Sequence, residues 1–211
     1  SRALLADFEY INFLQYYGDI DNRKEGFKKV FEYIKNITDA DPHFTFAYTY
    51  GAAILAFNRQ EYEKAITYFN KAVKKNPSPD IYLQIGRYSL QLGHHEKAIE
   101  ANKQVITIDP KSEKAYHNLG ISYEKLGELD KAVDAYNHAI KINPDFLQTQ
   151  YRLGSVYAKL GKYEEAIEEY KKAIRIEPDF ADAHYGLGWA YSKLGRNEEA
   201  IVEYKEALRL K

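Results

Sequence analysis

Three prolines, Pro110, Pro144 and Pro178, stand 34 residues apart, and Pro77 precedes the first of them by 33. The same beat carries Gly86, Gly120, Gly154 and Gly188, then Gly93, Gly127, Gly161 and Gly195, and also Ala98, Ala132, Ala166 and Ala200. A fixed period of this size means one supersecondary unit stacked on copies of itself, because no single unit could bury its apolar face alone. The period therefore constrains the fold more tightly than the length of 211 residues does.

Within one period the apolar spacing switches helices on and off. In residues 113–146, Ala115, Leu119, Ser122, Tyr123 and Leu126 fall three and four apart, one face of a first helix. Gly127 ends it by tolerating the left-handed closing turn. Leu129, Ala132, Val133, Tyr136, Ala139 and Ile140 form a second face. Pro144 stops that one, since proline lacks the amide that would continue the ladder and biases the preceding residue away from helix. A mid-helix glycine costs about 1 kcal/mol relative to alanine. Gly120, Gly154 and Gly188 are thus expected where a neighbouring helix comes too close for any larger side chain, with Tyr136 between Ala132 and Ala139 filling the gap. Most tyrosines in these slots are expected to be core.

The residues at these places match a known family. An aromatic, Leu-Gly, Tyr, Ala, an aromatic and Pro are met in order by Tyr116, Leu119-Gly120, Tyr123, Ala132, Tyr136 and Pro144. Leu153-Gly154, Tyr157, Ala166, Tyr170 and Pro178 follow, with Gln150 in the first slot, and Leu187-Gly188, Tyr191, Ala200 and Tyr204 follow with His184 there. Residues 79–112 keep Tyr82, Ile85-Gly86, Ala98 and Pro110 but depart at Ser89 and Asn102, and residues 46–78 keep Ala65, Phe69, Ala72 and Pro77 but replace Leu-Gly by Ala52-Ala53. The chain resembles the tetratricopeptide-repeat family. The resemblance implies an all-α fold, a right-handed superhelical solenoid of antiparallel helix pairs. Its repeats would occupy 46–78, 79–112, 113–146, 147–180 and 181–211, the last without a capping helix. Residues 1–45 read as a sixth, degenerate, cap-like helix pair: Leu4, Leu5, Phe8, Ile11, Phe13, Leu14 and Tyr17, then Phe27, Val30, Phe31, Ile34 and Ile37, ended by Asp41-Pro42. The opening, Ala3 to Phe8 with Gln15-Tyr16-Tyr17-Gly18, loosely resembles that of some membrane-anchored bacterial repeat proteins. Methionine is absent even at the start, so a trimmed or removed N-terminal segment is expected, and the compartment stays open between cytoplasmic and extracytoplasmic.

In that family the first helix of each pair lines a concave groove through its second, fifth, sixth and ninth positions. Carried over, the resemblance implies a partner-binding surface holding Tyr50, Arg87, Lys114, His117, Asn118, Tyr151, Arg152, Tyr185 and Trp189, with Ile54 on the same helix as Tyr50. Arginine grips carboxylates through paired hydrogen bonds, asparagine holds peptide amides, and tyrosine and tryptophan add apolar area at little entropic cost. The expected function is a non-catalytic scaffold or adaptor binding a peptide segment of a partner protein. Some members clamp a chaperone carboxylate; Asn118 and Arg152 match two of those positions, but Leu83, Arg87 and Gln148 replace other clamp residues, so no such clamp is expected. The alternative is a self-assembling structural module, a homo-oligomer through exposed solenoid ends, since the stripe ending at Leu208 and Leu210 lacks a polar cap.

Other chemistries are weakly supported. The formal charge of −1 gives no field for nucleic acid, and no apolar run is long enough to span a bilayer. With no cysteine, thiol nucleophiles and thiolate metal sites are excluded. His43, His94, His95, His117, His138 and His184 are expected at the surface, without metal-ligand spacing. Glu164, Glu165, Glu168, Glu169, Glu198 and Glu199 read as solvated faces, Glu168 pairing with Lys172. The Gly186-Leu187-Gly188 pair lacks the strand of a dinucleotide site, and the Asn36-Ile37-Thr38 triplet, on an expected helix, is discounted as a glycosylation site. No enzyme activity, metal or cofactor is expected.

Overall fold

The computed structural model describes residues 62–211 and, besides them, Asn36, which is helical and exposed. The expected N-terminal helix pair, Tyr50, Ile54 and the first helix of residues 46–78 otherwise lie outside the described residues. The chain divides into two compact units between Ile108 and Asp109.

The first unit contains α1 (Tyr62–Lys75), α2 (Pro79–Gln91) and α3 (His95–Ile108). Pro79 opens α2 at a position where its missing amide costs nothing. Ala65, Phe69, Ala72 and Val73 of α1, Ile81, Ile85 and Tyr88 of α2, and Ala98, Ala101 and Val105 of α3 are buried together with Asn102 and Ser89. Phe69 stacks on Tyr88 with ring centroids 6.0 Å apart. Where later repeats carry tyrosine, Asn102 folds back and donates to the Ala98 carbonyl at 2.8 Å. A β-carbon on Gly86 would lie 2.6 Å from its amide nitrogen, so the glycine approach survives without the aromatic.

The second unit contains α4 (Glu113–Lys125), α5 (Leu129–Ile142), α6 (Leu147–Lys159), α7 (Tyr163–Ile176), α8 (Ala181–Lys193) and α9 (Asn197–Arg209). Each helix packs on its neighbours in sequence, and α6 also touches α8. First helices end on a glycine at positive φ: Gly127 has φ 77°, its N–H donates to Glu124 O at 3.1 Å, and the Glu128 N–H donates to Tyr123 O at 2.9 Å. Those bonds satisfy carbonyls the helix end would otherwise orphan. Second helices end before Pro144 and Pro178.

The glycine–tyrosine pairs set the helix spacing. A β-carbon on Gly120 would collide with the Tyr136 ring, one on Gly154 would lie 2.9 Å from Tyr170, and one on Gly188 2.9 Å from Tyr204. Tyr136 is wholly buried between Ala132 and Ala139, also wholly buried, and packs with Leu153 and Val156. Tyr170 does the same among Ala166, Ile167, Leu187 and Ala190. Gly186 adds a second approach, since its β-carbon would stand 2.7 Å from the Tyr170 ring. Tyr170 thus spans from its own repeat into the next.

Candidate functional site

The first-helix residues singled out above fall on α2 in the first unit and on α4, α6 and α8 in the second. In the first unit Arg87 is exposed, donates to the Tyr88 hydroxyl at 2.8 Å and lies over that ring.

In the second unit the residues are tied together by a carboxylate. Glu124, near the end of α4, has a side chain only 9% exposed. Its Oε2 accepts from Arg152 Nη1 at 3.3 Å and from the Tyr136 hydroxyl at 3.0 Å, and its Oε1 accepts from Lys159 Nζ at 2.6 Å. Burial acts to raise the pKa of this carboxyl. The hydrogen bond and charge of Lys159, the Tyr136 hydroxyl and the Arg152 charge outweigh it and hold the group below its ordinary value. One carboxylate therefore serves two cations on α6. Arg152 and Lys159 keep 36% and 50% of their side chains exposed.

His117 belongs to the same cluster. Its ring lies 4.8 Å from Phe146 and 5.9 Å from Tyr136, centroid to centroid, and its Nδ1 is 2.8 Å from Thr149 Oγ1. Burial, then the nearby Arg152 charge, lowers its pKa to about 4 against a smaller opposing pull from Glu124. The imidazole is neutral at physiological pH.

The aromatic candidates are half in and half out. Tyr151 packs between Tyr170 and Phe180, 5.8 Å and 5.2 Å away. Trp189 sits edge-on to Tyr163 with the Lys193 ammonium 5.1 Å from its ring. Tyr185 is 56% exposed, leaning on Tyr204 at 5.5 Å. Lys114 is exposed, and the Asn118 carbonyl accepts from the Ser122 hydroxyl at 2.8 Å.

Two expectations are overturned. The histidines do not all sit at the surface: His117 is enclosed as described, and His184 is 8% exposed. His184 Nδ1 is 2.6 Å from Glu203 Oε2 and Nε2 is 2.9 Å from the Pro178 carbonyl, so it fastens α8 to α9 and to the preceding turn. It stands in the aromatic slot of its repeat, which packs inward whatever ring fills it. Lys172 likewise pairs with Glu169, at 2.6 Å, and not with Glu168. Glu169 lies on the buried side of α7, where a carboxylate needs a counter-charge more than an exposed one does.

Sequence reasoning missed Glu124 and Thr149. The signal for Glu124 was a break in the period: 34 residues on, its place is taken by Ala158, and Ser192 follows. With Leu90 one period before it, the slot is otherwise uncharged, and a lone carboxylate there marks a local charge requirement. Among the described residues no cluster of three or more His, Asp or Glu residues could hold a metal ion, and no helix is long and apolar enough to cross a membrane.

A fold of stacked helix pairs repeated along the described residues defines a helical repeat protein. Family models agree on which one. The model described as TPR repeat matches residues 89–127 and 154–195, and those described as tetratricopeptide repeat match 113–146 and 181–211, 135–168, and 47–79. The chain belongs to the tetratricopeptide-repeat family. Small glutamine-rich tetratricopeptide repeat-containing protein 2 of Mycosarcoma maydis is 39% identical over 67 residues, which is 31% of this chain and only 19% of that protein. A crystal structure of MamA is 33% identical with a TM-score of 0.69, covering 72% of this chain and 90% of that one. The structure of YrrB, a TPR protein with an unusual peptide-binding site, is 18% identical with a TM-score of 0.70, covering 84% and 92%, and shares the fold. Tetratricopeptide repeats generally mediate protein–protein interactions, as non-enzymatic scaffolds.

Proposed function

We propose that this chain is an adaptor that holds an extended or helical peptide of a partner protein against its first-helix face. On α4, α6 and α8 that face presents Lys114, Asn118, Tyr151, Arg152, Tyr185 and Trp189, with His117 as a neutral wall; Tyr50 and Arg87 are the corresponding first-helix positions of the first unit, taken by itself. The observation that carries the reading is the sharing of Glu124 by Arg152 and Lys159. Two cations on one carboxylate leave one positive charge uncompensated, on a guanidinium already fixed in place and still partly exposed. A fixed, half-neutralised arginine loses little freedom when a peptide carboxylate docks on it.

The test uses peptides selected on the full chain from a displayed random library. Combining Arg87→Ala with Arg152→Ala should weaken a selected acidic peptide by about tenfold to a hundredfold. Helicity and melting temperature should stay nearly unchanged, since Glu124 keeps Lys159 and Tyr136. Undiminished binding by the double variant would remove the assignment.

A second reading, self-assembly, is supported by the apolar exposure at α8 and α9: Tyr185, Ile201 at 53%, Val202 at 62% and Leu208 at 74%. Light scattering decides it. A mass that rises with concentration and is restored to that of a monomer by Leu208→Glu supports it, and a monomer at every concentration ends it.

A further inference from the structure

The outer side of α9 breaks the repeat at one slot. Glu100, Asp134 and Glu168 fill that slot in three successive repeats, and Val202 fills it in the next. Those three carboxylates are exposed although further helices follow each of them in the chain, so the slot faces solvent by its place in the repeat. Val202 is accordingly 62% exposed, an apolar side chain where the period supplies an acid. Ile201 beside it is 53% exposed, and Leu208 is 74% exposed. Ile167, the counterpart of Ile201 one repeat earlier, is only 3% exposed, in a cluster with Leu187 and Ala190 of α8.

The charges along α9 are nearly all committed within the chain. Glu199 pairs with Arg196, Glu203 with His184 at 2.6 Å, and Glu206 with Arg209 at 2.6 Å. Glu198 and Lys205 are different: both are exposed, and neither is in an ion pair among the described residues. They stand two helical turns apart and so share one side of the helix, with Ile201 and Val202 between them. The patch thus reads acid, two apolar residues, base along the axis.

We propose that this patch pairs two copies of the chain, α9 lying antiparallel on α9 about a two-fold axis between Ile201 and Val202. In a contact of this symmetry residue i meets j and j meets i. Ile201 then meets Val202 of the second copy, and Glu198 meets its Lys205, each contact made twice. A parallel pair would instead set Glu198 on Glu198 and Lys205 on Lys205, and like charges placed together oppose association. Charge complementarity therefore selects the antiparallel arrangement. The pairing rests on the self-assembly reading above and gives it a face and a stoichiometry, a closed dimer. A single helix pair covers less than the roughly 1,200 Å² of a stable interface, so the dimer is weak.

The experiment is sedimentation equilibrium of the full chain from micromolar to millimolar concentration, with circular dichroism of each variant as the check on folding. The mass should rise to that of a dimer and stop there. Val202→Glu restores the acid that the period carries in this solvent-facing slot; it should leave helicity unchanged and weaken the dimer at least about tenfold. Glu198→Lys and Lys205→Glu should each weaken it by about tenfold, and the two combined should return it to within about threefold of the wild type. A mass that grows past the dimer, a dimer that Val202→Glu leaves unchanged, or a folded double variant that stays monomeric would overturn this pairing and leave the broader self-assembly reading standing. A monomer at every concentration would end both.

Discussion

Replacing Tyr136 by alanine should lower the stability of the second unit by about 3–5 kcal/mol. The ring is wholly buried, touches Leu153 and Val156 of the next repeat, and faces a glycine that cannot move in to close the void. Its hydroxyl is also one of the donors that satisfy Glu124. Two losses therefore coincide: a cavity at the contact between two repeats, and a weakened anchor for the Arg152 and Lys159 charges. In a stack where each repeat is stabilised mainly by its neighbours, a defect at a contact propagates. Tyr136→Phe keeps the ring and loses only the hydroxyl bond, so it should cost about 1 kcal/mol. Urea denaturation of the two variants separates packing from hydrogen bonding. Equal, small losses in both would contradict the role given to this ring.

The second large effect is on acid stability. His117 is neutral when folded, with a pKa of about 4, against 6.5 for an unperturbed histidine. The sign follows from proton uptake. Between those two values the unfolded chain holds a proton on this residue and the folded chain does not. Stability is fully present above the unfolded value and drains away as pH falls through the window toward 4. The loss attributable to this one side chain is on the order of 3 kcal/mol. His117→Gln keeps a hydrogen-bonding group beside Thr149 and cannot titrate. The wild-type protein should lose that much more stability than the variant between pH 7 and pH 4, which cancels the shared contribution of the carboxylates. Parallel stability curves for the two proteins would contradict the neutral, enclosed imidazole.

What could be read from the sequence was what repeats. Pro144 and Pro178 fix where second helices stop, Gly127 where a first helix turns, and the pairing of Gly120 with Tyr136 follows once both recur on the same beat. The burial of those tyrosines could be argued from spacing because each repeat presents the same wall to the next. What could not be read was what happens once. Glu124 gathers Tyr136 from α5 and Arg152 and Lys159 from α6, a convergence that depends on the angle between helices and leaves no period behind. His184 illustrates a different failure. Its slot was recognised as aromatic, yet an imidazole there was assigned to the surface because histidine is polar. The slot, not the residue's polarity, decides burial, and Glu203 and the Pro178 carbonyl then satisfy both ring nitrogens. The choice of Glu169 over Glu168 by Lys172 is of the same kind: a neighbour's burial outweighs ideal helical spacing.

The measurement that bears most directly on the adaptor reading is amide hydrogen exchange of the full chain with and without a selected acidic peptide. New protection is expected around Lys114, Asn118, Tyr151, Arg152 and Trp189, on the first helices of successive repeats. A peptide that binds tightly while leaving α4, α6 and α8 unprotected would contradict it.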